Sequence, residues 1–207
     1  FLGLSLFLTF RTMYASGAAS LRPFFDLLPI LLAVFIPAAT MRSLAEERRS
    51  GTLEWLGGNP IQETELVLGK FLGDWIFVLV TLAGSIPTAL ALLLVSDADP
   101  GIIAAQYVGA TFLAGQLVAL GLWASSLTRN QISAFIVAAM LSFLLFLIGL
   151  PVVQIGLPPD LSGALARLSL VAHFQNVARG VVDLRDVLYF TSTGALFLFL
   201  TAAVLIR

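Results

Sequence analysis

Apolar residues in this chain do not alternate with polar ones; they gather in long blocks separated by short polar joints. A helix needs ~20 apolar residues to cross a hydrocarbon core of ~30 Å, whereas a membrane strand crosses in ~10 alternating residues. The blocks therefore predict helices. Residues 1–10 are apolar but too few to span, and 11–22 read as a polar loop of small residues. Complete spans are predicted at 27–45, 66–95, 102–127, 132–150 and 187–206. The block at 66–95 is interrupted only by Lys70, Asp74 and Pro87, and Pro37 and Pro87 read as bends. Residues 151–186 are too polar to cross. Within them Leu161, Leu165 and Leu168, then Leu170, Phe174 and Val177, recur at helical spacing. One or two short amphipathic helices at the outer surface follow, the first capped by Asp160 and the second ended by Gly180.

Two joints carry helix-start chemistry. Asn59-Pro60-Ile61-Gln62 offers a capping side chain, a proline at the first helical position and a glutamine at the third. Thr128-Arg129-Asn130-Gln131 has the spacing of a capping box. The fold class expected is an all-α polytopic transmembrane bundle: five complete spans plus a truncated first one, forming a single transmembrane domain over 1–207. The chain opens at Phe1 inside an apolar run with no basic segment before it, so we read it as lacking the start of its first helix.

Composition agrees with this picture. Hydrophobic residues make up 59% of the 207 and charged residues 11%, too little charge to cover a water-soluble domain of that size. The formal net charge of −1 by itself says nothing about nucleic acid, but no basic tail or patch is present. The apolar blocks make the lipid bilayer the expected partner, and no nucleic-acid partner is expected. With no cysteine, disulfides, thiolate metal sites and cysteine nucleophiles are excluded. Sidedness follows from the shortest loops: 128–131 holds a base and no acid, whereas 96–101 holds two acids and no base. The positive-inside rule then places 42–65, 128–131 and the C-terminus in the cytoplasm.

Enzyme chemistry finds few supports. The one histidine, His173, rules out a two-histidine metal site within the chain and reads as a core or interfacial side chain. Ala83-Gly84-Ser85-Ile86 lacks the second glycine of a membrane serine-protease motif. Gly51 stands where the Glu-Glu-x-x-x-Arg of membrane endopeptidases needs arginine. No P-loop is present, because Lys70 is followed by Phe71 and Thr64 replaces the first glycine. We therefore expect no catalytic and no metal-binding residues, and any ATP must be bound by another subunit. Lys70 and Asp74, one turn apart near a cytoplasmic helix end, read as a locally paired interfacial couple. Gly69 and Gly73, with Ala110/Ala114 and Gly115/Ala119, form small-residue faces suited to close helix packing or dimerisation.

The stretch 41–73, MRSLAEERRSGTLEWLGGNPIQETELVLGKFLG, is the most distinctive. It mixes charges with the apolar Leu53, Trp55, Leu56 and Ile61. By composition it fits equally a short helix docked on a soluble partner and a solvated loop with an interfacial Trp.

This stretch resembles the type-2 ABC exporter permeases, in the branch that includes gliding-motility and copper-enzyme-maturation permeases. The resemblance is carried by Met41-Arg42-Ser43, by Glu46, Glu47, Arg48, Arg49, Ser50, Gly51, Thr52, Leu53 and Glu54, and by Pro60 and Val67-Leu68-Gly69-Lys70-Phe71. It continues through 125–131 with Thr128, Arg129 and Asn130, and through His173, Phe174, Arg179, Gly180 and the residues up to Phe190. It implies a six-helix membrane subunit of a bacterial or archaeal plasma membrane that pairs with a second permease copy and docks two P-loop ATPase subunits. Residues 42–65 would be the cytoplasmic coupling loop, its core helix ending near Leu56 because Gly57 and Gly58 disfavour helix. Trp55 stands where relatives carry leucine-rich sequence. Residues 151–186 would form short outer helices. ATP and magnesium would act through the partner, and no cofactor would sit on this chain. The reading set against it, an ATP-independent channel or secondary transporter, predicts an inverted repeat and ionisable residues at the midplane, and neither is visible.

Overall fold

A computed structural model describes residues 1–16, 20–51, 63–96, 98–155 and 158–205. Among them the helices are α1 Leu2–Ser16, α2 Arg22–Thr40, α3 Ala45–Ser50, α4 Glu63–Ala83 and α5 Ile86–Val95. They continue with α6 Pro100–Leu127, α7 Gln131–Leu147, α8 Pro151–Gln154, α9 Pro159–Leu168, α10 Leu170–Ala178 and α11 Leu184–Leu205. No strand occurs among the described residues.

Length and apolarity mark four spanning segments where the sequence predicts five complete spans: Arg22–Ser50, Glu63–Val95, Pro100–Leu127 and Leu184–Leu205. The fifth candidate is α7, whose 17 residues reach about 26 Å. α1 runs through Arg11 to Ser16, so the loop expected at 11–22 begins later. α2 likewise starts at Arg22 and ends at Thr40, earlier at both ends than the predicted 27–45. Arginine is a good helix former, so polarity there marks where hydrocarbon meets water and not where the helix stops.

The predicted span at 66–95 is two helices. Ser85 Oγ donates to the Leu82 carbonyl at 2.7 Å, which leaves Tyr107 Oη to donate to Ser85 Oγ, also at 2.7 Å. Pro87 lacks an N–H and its ring would strike the carbonyl of Ala83, so α4 stops at Ala83 and α5 starts afresh with the proline in its first turn. Pro87 thus breaks the helix that it was expected only to bend.

α6 is the hub. It packs against α2, α3, α4, α7, α10 and α11, and no residue from 109 to 126 is exposed. Its small residues make this possible. A Cβ at Gly109 would lie 1.9 Å from Val177 Cγ1 of α10, and one at Gly121 would lie 2.1 Å from Thr40 Oγ1 of α2. Ala110, Ala114 and Ala119 are wholly buried, so the α6 small-residue face serves packing within the chain. Gly69 and Gly73 of α4, by contrast, have open space where a side chain would stand.

Candidate functional site

Where α2 ends, four residues turn the chain and α3 begins. Its first amides would be unpaired there, and Ser125 of α6 meets them. Ser125 Oγ accepts from the backbone N–H of Leu44 at 3.1 Å and of Ala45 at 3.0 Å, and donates to the Met41 carbonyl at 3.2 Å. That uses its full hydrogen-bonding capacity. Arg48 donates to the carbonyl of Ser126. Lys70 of α4 pairs with Glu47, and Ser43 Oγ donates to Asp74 Oδ2 at 2.5 Å. α3 is therefore anchored to both α4 and α6.

These contacts refine one expectation: Lys70 and Asp74 remain electrostatic neighbours, but neither is the other's direct ion-pair partner. Each reaches across to the α2–α3 segment instead, and no spacing along α4 alone could have shown that. Gly51 then ends α3 in the left-handed conformation at φ 75°, its N–H bonded to the Glu47 carbonyl, so this helix stops at Ser50 and does not run on to the end expected near Leu56. Acids in the first turn and bases in the last suit the helix dipole.

The charge cluster divides by direction. Glu47 and Arg48 turn inward and are partly buried, whereas Arg42, Glu46 and Arg49 are exposed. Arg49 makes no ion pair or side-chain hydrogen bond among the described residues. Half of the cluster fixes α3 in place and half faces water. Thr52, Glu54, Trp55 and Pro60, with the helix start expected at 59–62, lie outside the described residues.

The second loop joins the same end of the bundle through the Arg48–Ser126 contact. Its cap is Asn130, whose Oδ1 accepts from Ile132 N–H at 3.0 Å. Thr128 ends α6 in extended conformation and closes a local turn, its Oγ1 donating to the Asn130 carbonyl at 2.8 Å. The capping box expected between Thr128 and Gln131 is therefore replaced by an Asx-type cap. Arg129 is exposed.

At the opposite end, α9, α10 and the start of α11 enclose His173. Its Nδ1 lies 2.7 Å from Asp186 Oδ1 and its Nε2–H donates to the Arg167 carbonyl at 3.1 Å. Both neighbours are acceptors, so histidine and aspartate hold a proton between them. Asn176 Nδ2 donates to Asp186 Oδ2 at 3.2 Å, Tyr189 Oη donates to the Leu168 carbonyl at 2.7 Å, and the Tyr189 ring stacks on His173 at 4.0 Å. His173 is buried, and Phe174 beside it is buried in the core.

The α10 terminus is a Schellman motif. Gly180, at φ 86°, donates to the Val177 carbonyl at 2.8 Å, and Val181 donates to that of Asn176 at 3.1 Å. Arg179 is the exposed C-cap, beside a cavity of about 350 Å³ that Arg22 and Asp26 also line. Gln106 Nε2 donates to the Ala178 carbonyl at 2.7 Å, tying α10 to α6. Asp160 does not cap α9, which has Pro158 at the capping position and no side-chain cap. The acid sits inside the first turn, where its charge still complements the dipole.

Ser125, Ser43 and Asp186 are the residues whose roles spacing did not expose. Each acts across 13 to 84 positions of chain. Among known proteins, residues 5–206 match the family model described as ABC-2 family transporter protein. A comparison with curated proteins gives no match.

Proposed function

Because this chain belongs to the ABC-2 family of transporter membrane proteins, we propose that it is one half of a dimeric exporter permease of the plasma membrane, driven by separate P-loop ATPase subunits. The membrane permease part of this reading follows from the family and from the multiple apolar helices. The exporter sense, the pairing and the ATPase docking are our proposal. Residues 42–65 and the loop carrying Thr128, Arg129 and Asn130 form the cytoplasmic docking face in this reading. ATP and magnesium bind the ATPase alone, and its closure moves the docking face.

The observation that carries the proposal is the two-sided build of α3. Inward groups tie it to α4 and α6, and Arg42, Glu46 and Arg49 stand free toward water. A solvated loop has no need of such anchoring, whereas a docking element must hold its orientation when pushed.

The test is co-purification of the full-length protein in mild detergent from its own cells, with identification of what accompanies it. We expect a stoichiometric P-loop ATPase whose recovery falls when Glu46 and Arg49 are exchanged for residues of opposite charge. A pure oligomer without ATPase would overturn the proposal and favour an ATP-independent channel or secondary transporter.

A further inference from the structure

A second feature lies in the bundle wall, away from both ends. α4, α6 and α11 surround a cavity of about 270 Å³ lined by Phe71, Trp75, Phe112, Gln116, Phe190 and Ala195, among others. Aromatic rings dominate it, and Phe71 and Trp75 stack at 5.7 Å. Most of its polar lining groups are already committed. Trp75 Nε1–H donates to the Thr111 carbonyl at 3.1 Å, Thr111 Oγ1 to that of Tyr107 at 3.0 Å, and Thr191 Oγ1 to that of Val187 at 2.7 Å.

Gln116 is the exception. It is 1% exposed, and its Oε1 has no hydrogen-bond partner. The Tyr189 hydroxyl donates to the Leu168 carbonyl and keeps lone pairs with which it accepts from the Gln116 amide nitrogen, so the amide oxygen is the group left over. Gln116 also sits far from water. It lies about 17 Å from the C-terminal end of α6 and about 24 Å from its start. An amide oxygen left unpaired at such depth in an apolar span is costly.

We propose that this groove binds a small membrane-dissolved molecule, a flat apolar ring bearing one hydroxyl group that donates to Gln116 Oε1. The aromatic walls take the ring, and the amide oxygen offers an unused acceptor. α4 and α11 carry exposed Leu72, Ile76, Leu196 and Phe199, so the molecule enters sideways from the lipid.

The test uses the full chain in lipid nanodiscs with Trp55 and Trp123 replaced by Phe, leaving Trp75 as the reporter. The probes are 4-bromophenol and 4-bromotoluene, which differ by a hydroxyl in place of a methyl and quench through bromine. Quenching is plotted against the measured mole fraction of each probe in the bilayer. We expect it to saturate, with half-saturation for the phenol about fivefold lower, the effect of one neutral hydrogen bond. Gln116→Leu should abolish the preference, and Ala195→Phe should abolish saturation for both probes. Linear quenching unaltered by Ala195→Phe would overturn the proposal, as would a phenol preference that survives Gln116→Leu. A disulfide-linked dimer formed readily by Ala195→Cys would assign the groove to a second copy and overturn it equally.

Discussion

The two ends of this bundle both rest on polar side chains but dispose of them differently. At the end carrying α9 and α10, His173 and Asp186 are buried to 7% and 2% side-chain exposure, and their hydrogen-bonding atoms are all engaged. At the α3 end, Lys70 and Glu47 keep 31% and 24% exposure, and Arg42, Glu46 and Arg49 face water. The first arrangement is complete within the chain. The second holds a short helix firmly while leaving charge outward, the arrangement on which the docking proposal rests.

Four substitutions sharpen this contrast, in falling order of expected cost. Asp186→Ala takes the partner from both His173 Nδ1 and Asn176 Nδ2 and should destabilise the protein by about 3–5 kcal/mol, read from thermal unfolding in detergent. Loss comparable to a surface change would show that the outer end is not sealed as described. Gly109→Ala pushes a methyl into Val177 and should cost about 1–3 kcal/mol, loosening α10 from α6 by hydrogen exchange. Ser125→Ala leaves the Leu44 and Ala45 amides without their acceptor and should cost about 1 kcal/mol, with faster exchange confined to the α3 end. Spread of that exchange to α10 would erase the distinction between the ends.

Arg49→Ala should change stability least, within about 0.5 kcal/mol, because the side chain is exposed and forms no ion pair or side-chain hydrogen bond among the described residues. Under the docking proposal it should nevertheless lower substrate-coupled ATPase activity of the assembled complex. A variant equally stable and fully coupled would remove Arg49 from the docking face.

Much of the membrane architecture was legible because hydrocarbon imposes its own length rule. The blocks that became α6 and α11 were placed within a few residues of their observed bounds, and Gly180 announced the end of α10. Polarity misplaced the ends of α1 and α2, since Arg11 and Arg22 are at once polar and helix-competent. The site was legible only in outline. The Glu46–Arg49 cluster stood out as charged, but which members turn inward depends on Ser126 and Lys70, which come from other helices. Likewise Lys70 and Asp74 looked like a pair because local spacing cannot reveal better partners 23 and 31 positions away.

α6 also fixes the angular register of the molecule. A helix turns 100° per residue, and from 109 to 126 every direction around its axis faces a neighbour or a half-buried seam. Inserting one residue near Leu113 would rotate Gly121 and Ser125 away from α2 and α3 while Gly109 kept its place against α10. The two ends would then be twisted out of phase although every amino acid needed at each remained present. α6 thus acts as a phasing shaft, and deletions or insertions within it should be far less tolerated than most single replacements.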